Sequence, residues 1–342
     1  MTMTELLLSG QRCDASPRWG ELANRILDGS KLTREEGLAV LNAPDEQILD
    51  LLAAAYRIRL RYHGNSVRLN LLINAKSGFC AEDCAYCSQS RVSSAEIKRY
   101  PLIDRVELLR GAQAAVDRQA TMYCIVIAGR CPKPGELDAL CSVVTEIKSR
   151  WNIKICVSPG LLNREQANRF KAAGVDRINH NLNTSRGFYN RICSTHSYED
   201  RLATLRAARE AGLELCCGGI IGMGESLEDV VDFSLELGEL RPESLPINFL
   251  IPIPGTPLEN HGDLSPLYCL KVLSLLRFAS PPSNLRIAAG RELHLGPLQP
   301  LGLFPANSIF VGDYLTTKGQ PPEEDYRMIA ALGMTVVLDP HS

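Results

Sequence analysis

"VRLNLLINAKSGFCAEDCAYC", residues 67–87, decides how the rest of the chain is read. Residues 67–74 form an apolar run of strand character, and the loop that follows carries Cys80, Cys84 and Cys87 at C-x3-C-x2-C spacing. In an open doubly wound sheet, the first strand leads into a glycine-rich turn. Here it leads into cysteines. Seven further apolar runs follow: 122–128, 153–158, 176–182, 213–220, 245–251, 285–289 and 307–312. Segments of helical spacing separate many of them, such as "VELLRGAQAAVDRQ", "ELDALCSVVTEIKSR", "YEDRLATLRAAREAG" and "PLYCLKVLSLLRF". Eight strands alternating with helices require crossover connections and a parallel sheet. The expected fold is therefore α/β, a (β/α)8 barrel of the TIM type, whose chemistry sits on loops at the C-terminal strand ends.

Ahead of this pattern, residues 17–65 read as helical; Thr33 with Glu36 forms a capping-box pattern, and "EQILDLLAAAYRIRL" continues with helical spacing. The expected organisation is an N-terminal helical extension (1–65), the barrel (66–320) and a C-terminal helix and tail (321–342). The 342 residues are 45% hydrophobic and 22% charged with a formal net charge of -2, so neither nucleic acid nor a membrane surface is an expected partner. The opening "MTMTELLLSGQRCD" lacks the basic flank and apolar length of a signal peptide, and no apolar run reaches bilayer length. Twelve cysteines without such a signal read as reduced thiols in the cytoplasm.

Soft thiolates select zinc, Cu(I) or iron–sulfur clusters. Structural zinc needs a fourth ligand, and the next cysteines, Cys124 and Cys131, lie far along the chain. A four-iron, four-sulfur (4Fe-4S) cluster on three thiolates instead leaves one iron open at the barrel mouth. With Tyr86 before the last cysteine, the spacing resembles that of the radical S-adenosylmethionine enzymes. In them such an iron holds the amino and carboxylate groups of S-adenosylmethionine and delivers an electron that yields a 5′-deoxyadenosyl radical. "GGIIGMGES", through Gly218, Ile220, Gly222 and Glu225, resembles the loop that lines the adenine site in the same superfamily.

Cys124, Cys156, Cys216, Asn179, Asn181, Asn248 and Arg286 interrupt apolar strands. By strand alternation Asn179 and Asn181 share a face, as do Arg286 and Ala288. A buried Arg requires an anionic or electron-rich partner. Three thiols and a guanidinium from four strands could hold a second cluster deep in the barrel. Cys131, Cys141, Cys193, Cys217 and Cys269 read as small apolar side chains.

"NAKSGFCAEDCAYCSQS", "INHNLNTS", "LPINFLIPIPGTPLE", "RIAAGRE" and "LQPLGLFPANSIFVGDYLTT" together resemble the biotin synthase family over about residues 55–335. That resemblance implies insertion of one sulfur between C6 and C9 of dethiobiotin. It implies a 4Fe-4S cluster on Cys80, Cys84 and Cys87, and a 2Fe-2S cluster on Cys124, Cys156, Cys216 and Arg286. It places Asn181 and Asn183 on the S-adenosylmethionine ribose, Arg201 on its carboxylate, and Asn179 and Asn248 on the ureido ring of dethiobiotin. His180, between two of these, is expected to face away as a satisfied core residue. A homodimer and a flavodoxin- or ferredoxin-type electron donor are also implied. Asn183 stands where many members have Asp, Met122 where some have Arg, and Asn70 where some have Ser. Two other readings are another radical enzyme on the same barrel, which would lack the second cluster, and a zinc-binding module.

Overall fold

Local sequence explains the helices that precede the barrel. The computed structural model describes residues 17–337; the opening segment and the end of the C-terminal tail lie outside the described residues. Helices α1 (Pro17–Leu27), α2 (Arg34–Leu41) and α3 (Ile48–His63) come first. Thr33 caps α2 and makes the reciprocal capping box with Glu36, as its spacing predicts. In α3, Leu51, Leu52, Ala55 and Ile58 are buried, and Gly64 ends the helix with φ +59°.

The barrel follows as β1 (Ser66–Lys76), α4 (Arg105–Asp117), β2 (Met122–Ile127), α5 (Pro134–Arg150), β3 (Lys154–Ser158), α6 (Arg164–Ala172), β4 (Arg177–Asn179), α7 (Tyr198–Glu210), β5 (Glu214–Cys216), β6 (Gly219–Ile221), α8 (Leu227–Leu240), β7 (Ser244–Phe249), α9 (Pro266–Ala279), β8 (Asn284–Ile287), α10 (Arg291–His294), α11 (Gln299–Gly302) and β9 (Ser308–Phe310). Every strand pairing is parallel, and β9 returns to β1 through Arg68↔Ser308 and Asn70↔Phe310, which closes the barrel. All eight expected strands are present, the fifth as two pieces. Between β5 and β6 the chain steps inward at Cys217 and Gly218, where a Cβ on Gly218 would lie 1.8 Å from the Pro246 carbonyl oxygen. Asn183, at φ +72°, stitches the break: its N–H donates to Gly218 O at 3.1 Å, and its carbonyl accepts from Ile220 N at 2.9 Å.

α3 packs against α1 and α9, and α2 against α8 and α9, so the N-terminal helices join the outer layer. After β9, α12 (Pro322–Ala331) and β10 (Thr335–Val336) return to the start of β1, through Ser66↔Thr335. Asp325 of α12 is buried and pairs with buried Arg291 of α10 at 2.8 Å. No described helix is long and apolar enough to cross a membrane.

Candidate active site

The longest loop near the barrel mouth lies between β1 and α4 and carries the three-cysteine motif. Ser77 and Tyr100 exchange backbone hydrogen bonds of 3.1 Å, which close the loop at its base. Gly78 and Phe79 both have positive φ, so the chain turns sharply just before Cys80. Cys80, Cys84 and Cys87 all border one cavity of about 380 Å³. Burial pushes the Cys80 thiol up and Cys87 up to about 11, while contact with Cys193 raises Cys84 further. Protein groups alone thus leave the trio protonated; bound iron would supply the positive charge that makes them ligands.

A second thiol trio lies on the strands themselves. Register sets Cys124 of β2 beside Cys156 of β3, and Asn179 of β4 beside Cys216 of β5. These cysteines pack together with Met122, Leu72 and Phe310. Cys156 shares its proton with both neighbours, which raises its own pKa and lowers those of Cys124 and Cys216. Arg286 and Arg177 lower the latter two further. Arg286 is buried and its Nη1 lies 4.0 Å from the Cys216 sulfur. Its other hydrogen-bond partners are neutral: Asn70 Oδ1 at 2.8 Å, Ser244 Oγ at 3.0 Å and Ser308 Oγ at 3.4 Å. Phe310 stacks beneath it at 4.7 Å. A buried guanidinium in such company calls for negative charge, and a thiolate-bound cluster is one.

Between these groups the cavity wall carries Asn179, Asn181, Asn183, Arg201, Ile220 and Asn248. Asn179 donates to the Cys216 sulfur at 3.1 Å. Asn248 spans three strands, donating to Gly219 O at 3.1 Å and accepting from Ala289 N at 3.1 Å. Asn183 donates to the Tyr86 hydroxyl at 2.6 Å, which ties the mouth loop to the end of β4. Arg201 is buried, held by Asn181 O at 2.8 Å, His196 Nε2 at 2.8 Å and the Tyr189 hydroxyl. Gly218, Gly222 and Glu225 do something different. Gly218 N–H donates to Asn181 Oδ1 at 3.1 Å, while the Glu225 carboxylate folds back onto Gly222 N and Met223 N, both at 2.7 Å. They shape the loop that presents Ile220.

Known proteins share these features at the level of family, sequence and fold. Residues 75–237 match the Radical SAM superfamily, and 246–335 match the Biotin and Thiamin Synthesis associated domain. The chain is 53% identical to biotin synthase of Rhodopirellula baltica, over 92% of this chain and 88% of that one. It is 51% identical to biotin synthase of Bacillus subtilis, over 93% and 95%. The chain belongs to the biotin synthase family. The barrel also superimposes on the crystal structure of methylornithine synthase with a TM-score of 0.81, at 21% identity over 92% of this chain and 97% of that one, which is a likeness of fold.

In this biotin synthase family member, alternation along strands predicts most of the wall, and three features lie beyond it. His180 borders the cavity instead of facing away, and its buried Nε2 has no hydrogen-bond partner. Burial and Arg201 keep that imidazole neutral. Arg177, which the sequence reading missed, is a buried cation beside the second thiol trio; its place two residues before Asn179, on the same strand face, is the signal that could have found it. Cys193 is buried in the core as expected, and its sulfur also lies 3.9 Å from that of Cys84.

Proposed function

We propose that this protein forms biotin by inserting one sulfur atom between C6 and C9 of dethiobiotin. The observation that supports this most is that the mouth-loop thiols Cys80, Cys84 and Cys87 border the same cavity as Cys124, Cys156 and Arg286, with Cys216 packed against those two strand cysteines. Cys80, Cys84 and Cys87 would hold the 4Fe-4S cluster and S-adenosylmethionine; Cys124, Cys156, Cys216 and Arg286 would hold the 2Fe-2S cluster. When bound, these groups supply the electron that cleaves S-adenosylmethionine and the sulfur atom itself.

The chain's own residues position and shield. Asn181 and Asn183 would face the ribose, Arg201 the carboxylate, and the loop through Gly218, Ile220, Gly222 and Glu225 the adenine. Asn179 and Asn248 would pair the ureido group. Leu72, Phe249, Ile251 and Phe310 give the cavity an apolar wall that excludes water from a reactive radical. Arg286 offsets the negative charge of a buried cluster, and Asn70 and Ser244 orient its guanidinium. The family resemblance also supports a cytoplasmic homodimer, a flavodoxin- or ferredoxin-type electron donor, and division into the 1–65, 66–320 and 321–342 segments. The reading of another radical enzyme on this barrel has no use for Cys124, Cys156, Cys216 and Arg286 together. Reconstituted, reduced enzyme incubated with dethiobiotin should release 5′-deoxyadenosine and biotin, detected by mass spectrometry. Turnover that ignores dethiobiotin but responds to another small molecule would refute the substrate.

A further inference from the structure

We propose that Cys84 and Cys193 form a modification site, a thiol pair that closes to a disulfide when the radical cluster is absent. The proposal rests on the reading of Cys84 as a cluster ligand, because a metal-bound thiolate is not free to form the cross-link. The two sulfurs lie 3.9 Å apart. Their backbones are pinned together: Ala85 N–H donates to Ile192 O at 2.8 Å, and Asp83 Oδ1 accepts from Ser194 N at 3.0 Å and Thr195 N at 3.2 Å. A disulfide needs sulfurs about 2 Å apart, so closure asks for about 2 Å of sulfur travel, within reach of side-chain rotation.

The groups around Cys193 suit a nucleophilic sulfur. His196 Nδ1 lies 3.3 Å from it and Thr195 Oγ1 3.6 Å. Arg201 Nη2 lies 2.8 Å from His196 Nε2, and a guanidinium only donates. Nε2 therefore accepts, and the ring proton on Nδ1 faces both Cys193 and Glu82 Oε2 at 2.5 Å. Asp83 Oδ1, 3.3 Å from the Cys193 sulfur, accepts the hydrogen bond of the un-ionised thiol. Cys84, Cys193 and His196 also stand close enough to share one soft ion. The proton on Nδ1 and the Arg201 contact on Nε2 leave that imidazole no free lone pair, which favours the disulfide.

Cys84 borders the cavity, so a small hydroperoxide can reach it. The Cys84 thiol takes one oxygen from hydrogen peroxide: an S–O bond forms, the O–O bond breaks, and the departing hydroxide leaves as water with the thiol proton. The Cys193 thiolate then attacks that sulfur; the S–S bond forms, the S–O bond breaks, and a second water leaves. Two thiols lose two electrons and two protons, and one peroxide becomes two waters. The product stays on the reversible rung of cysteine oxidation, and reduction returns Cys84 to cluster assembly.

The test uses the full chain stripped of iron, treated anaerobically with hydrogen peroxide, alkylated, digested and read by mass spectrometry. The expected result is a Cys84–Cys193 cross-linked peptide that dithiothreitol removes. Cys193→Ser and Cys193→Ala should both lose it and show several-fold more sulfinic and sulfonic acid at Cys84. After dithiothreitol, iron and sulfide should restore cluster absorption in wild type and much less of it in either variant. A dominant Cys84–Cys87 or Cys80–Cys84 cross-link, equal over-oxidation with and without Cys193, or stoichiometric zinc bound through Cys193 would overturn the proposal. Failure of untreated, reduced protein to load iron and sulfide would instead refute the cluster reading and leave the cross-link standing.

Discussion

A urea group presents one strong acceptor and two N–H donors, and each left unpaired in a buried site costs roughly 1–3 kcal/mol. Asn179 and Asn248 can each offer an acceptor and donors. Their own contacts make them unequal. The Asn179 amide leans on a sulfur at 3.1 Å, whereas Asn248 is engaged by main-chain groups of two neighbouring strands. Asn179→Ala should therefore weaken dethiobiotin binding by about 10- to 100-fold with the fold intact. Asn248→Ala should weaken it similarly and also lower the melting temperature. Equilibrium binding beside thermal melts separates the two; unchanged affinity in Asn179→Ala would remove it from the substrate site. At this scale the sequence was most readable where a residue type clashed with its surroundings. Thiols, amides and a guanidinium in apolar strands stand out without coordinates. Cys193 did not, because its meaning comes from a contact spanning 109 residues, through loops with no periodicity.

At the level of elements, short apolar runs and helical spacing delivered the eight strands and the crossover helices. They could not deliver the interruption between β5 and β6, since "LELCCGGI" reads as one continuous run. The break is imposed by packing: Gly218 sits where any side chain would strike the Pro246 carbonyl of β7. On one side of the step Cys216 packs against Cys124 and Cys156, and on the other Ile220 borders the cavity. Gly218→Ala should cost about 3 kcal/mol or more, because the obstacle is backbone and cannot give way. Gly135, in the first turn of α5, meets nothing within 4 Å, and Gly135→Ala should be neutral or stabilise by up to about 1 kcal/mol. Denaturant midpoints of the two variants compare them directly, and equal midpoints would contradict the packing account.

At the scale of the whole molecule, counting strands sufficed to foresee a closed barrel, since eight parallel strands with crossovers leave few alternatives. The return of the C-terminal segment to the barrel start was not foreseen, because a two-residue strand and one buried carboxylate carry no sequence pattern. That carboxylate has a thermodynamic signature. Burial raises Asp325 to about 6 although Arg291 opposes the shift. A carboxyl whose folded pKa exceeds its unfolded value binds more protons when folded, so its contribution to stability grows as pH falls from about 6 toward 4 and is lost as pH rises through 6. The melting temperature of wild type minus that of Asp325→Asn should therefore rise between pH 7 and pH 5, for a free-energy gain of about 1.3 kcal/mol. A pH-independent difference would mean that the carboxyl is not buried as described.

The proposed function requires two separable iron–sulfur sites in one barrel, one making the radical and one giving up sulfur. The most direct measurement is anaerobic Mössbauer spectroscopy with product analysis on the reconstituted protein in which Cys124, Cys156 and Cys216 are all replaced by Ala. The expected result is a retained 4Fe-4S signal, no 2Fe-2S signal, continuing cleavage of S-adenosylmethionine to 5′-deoxyadenosine, and no biotin. Biotin formed at the wild-type rate by this variant would contradict it.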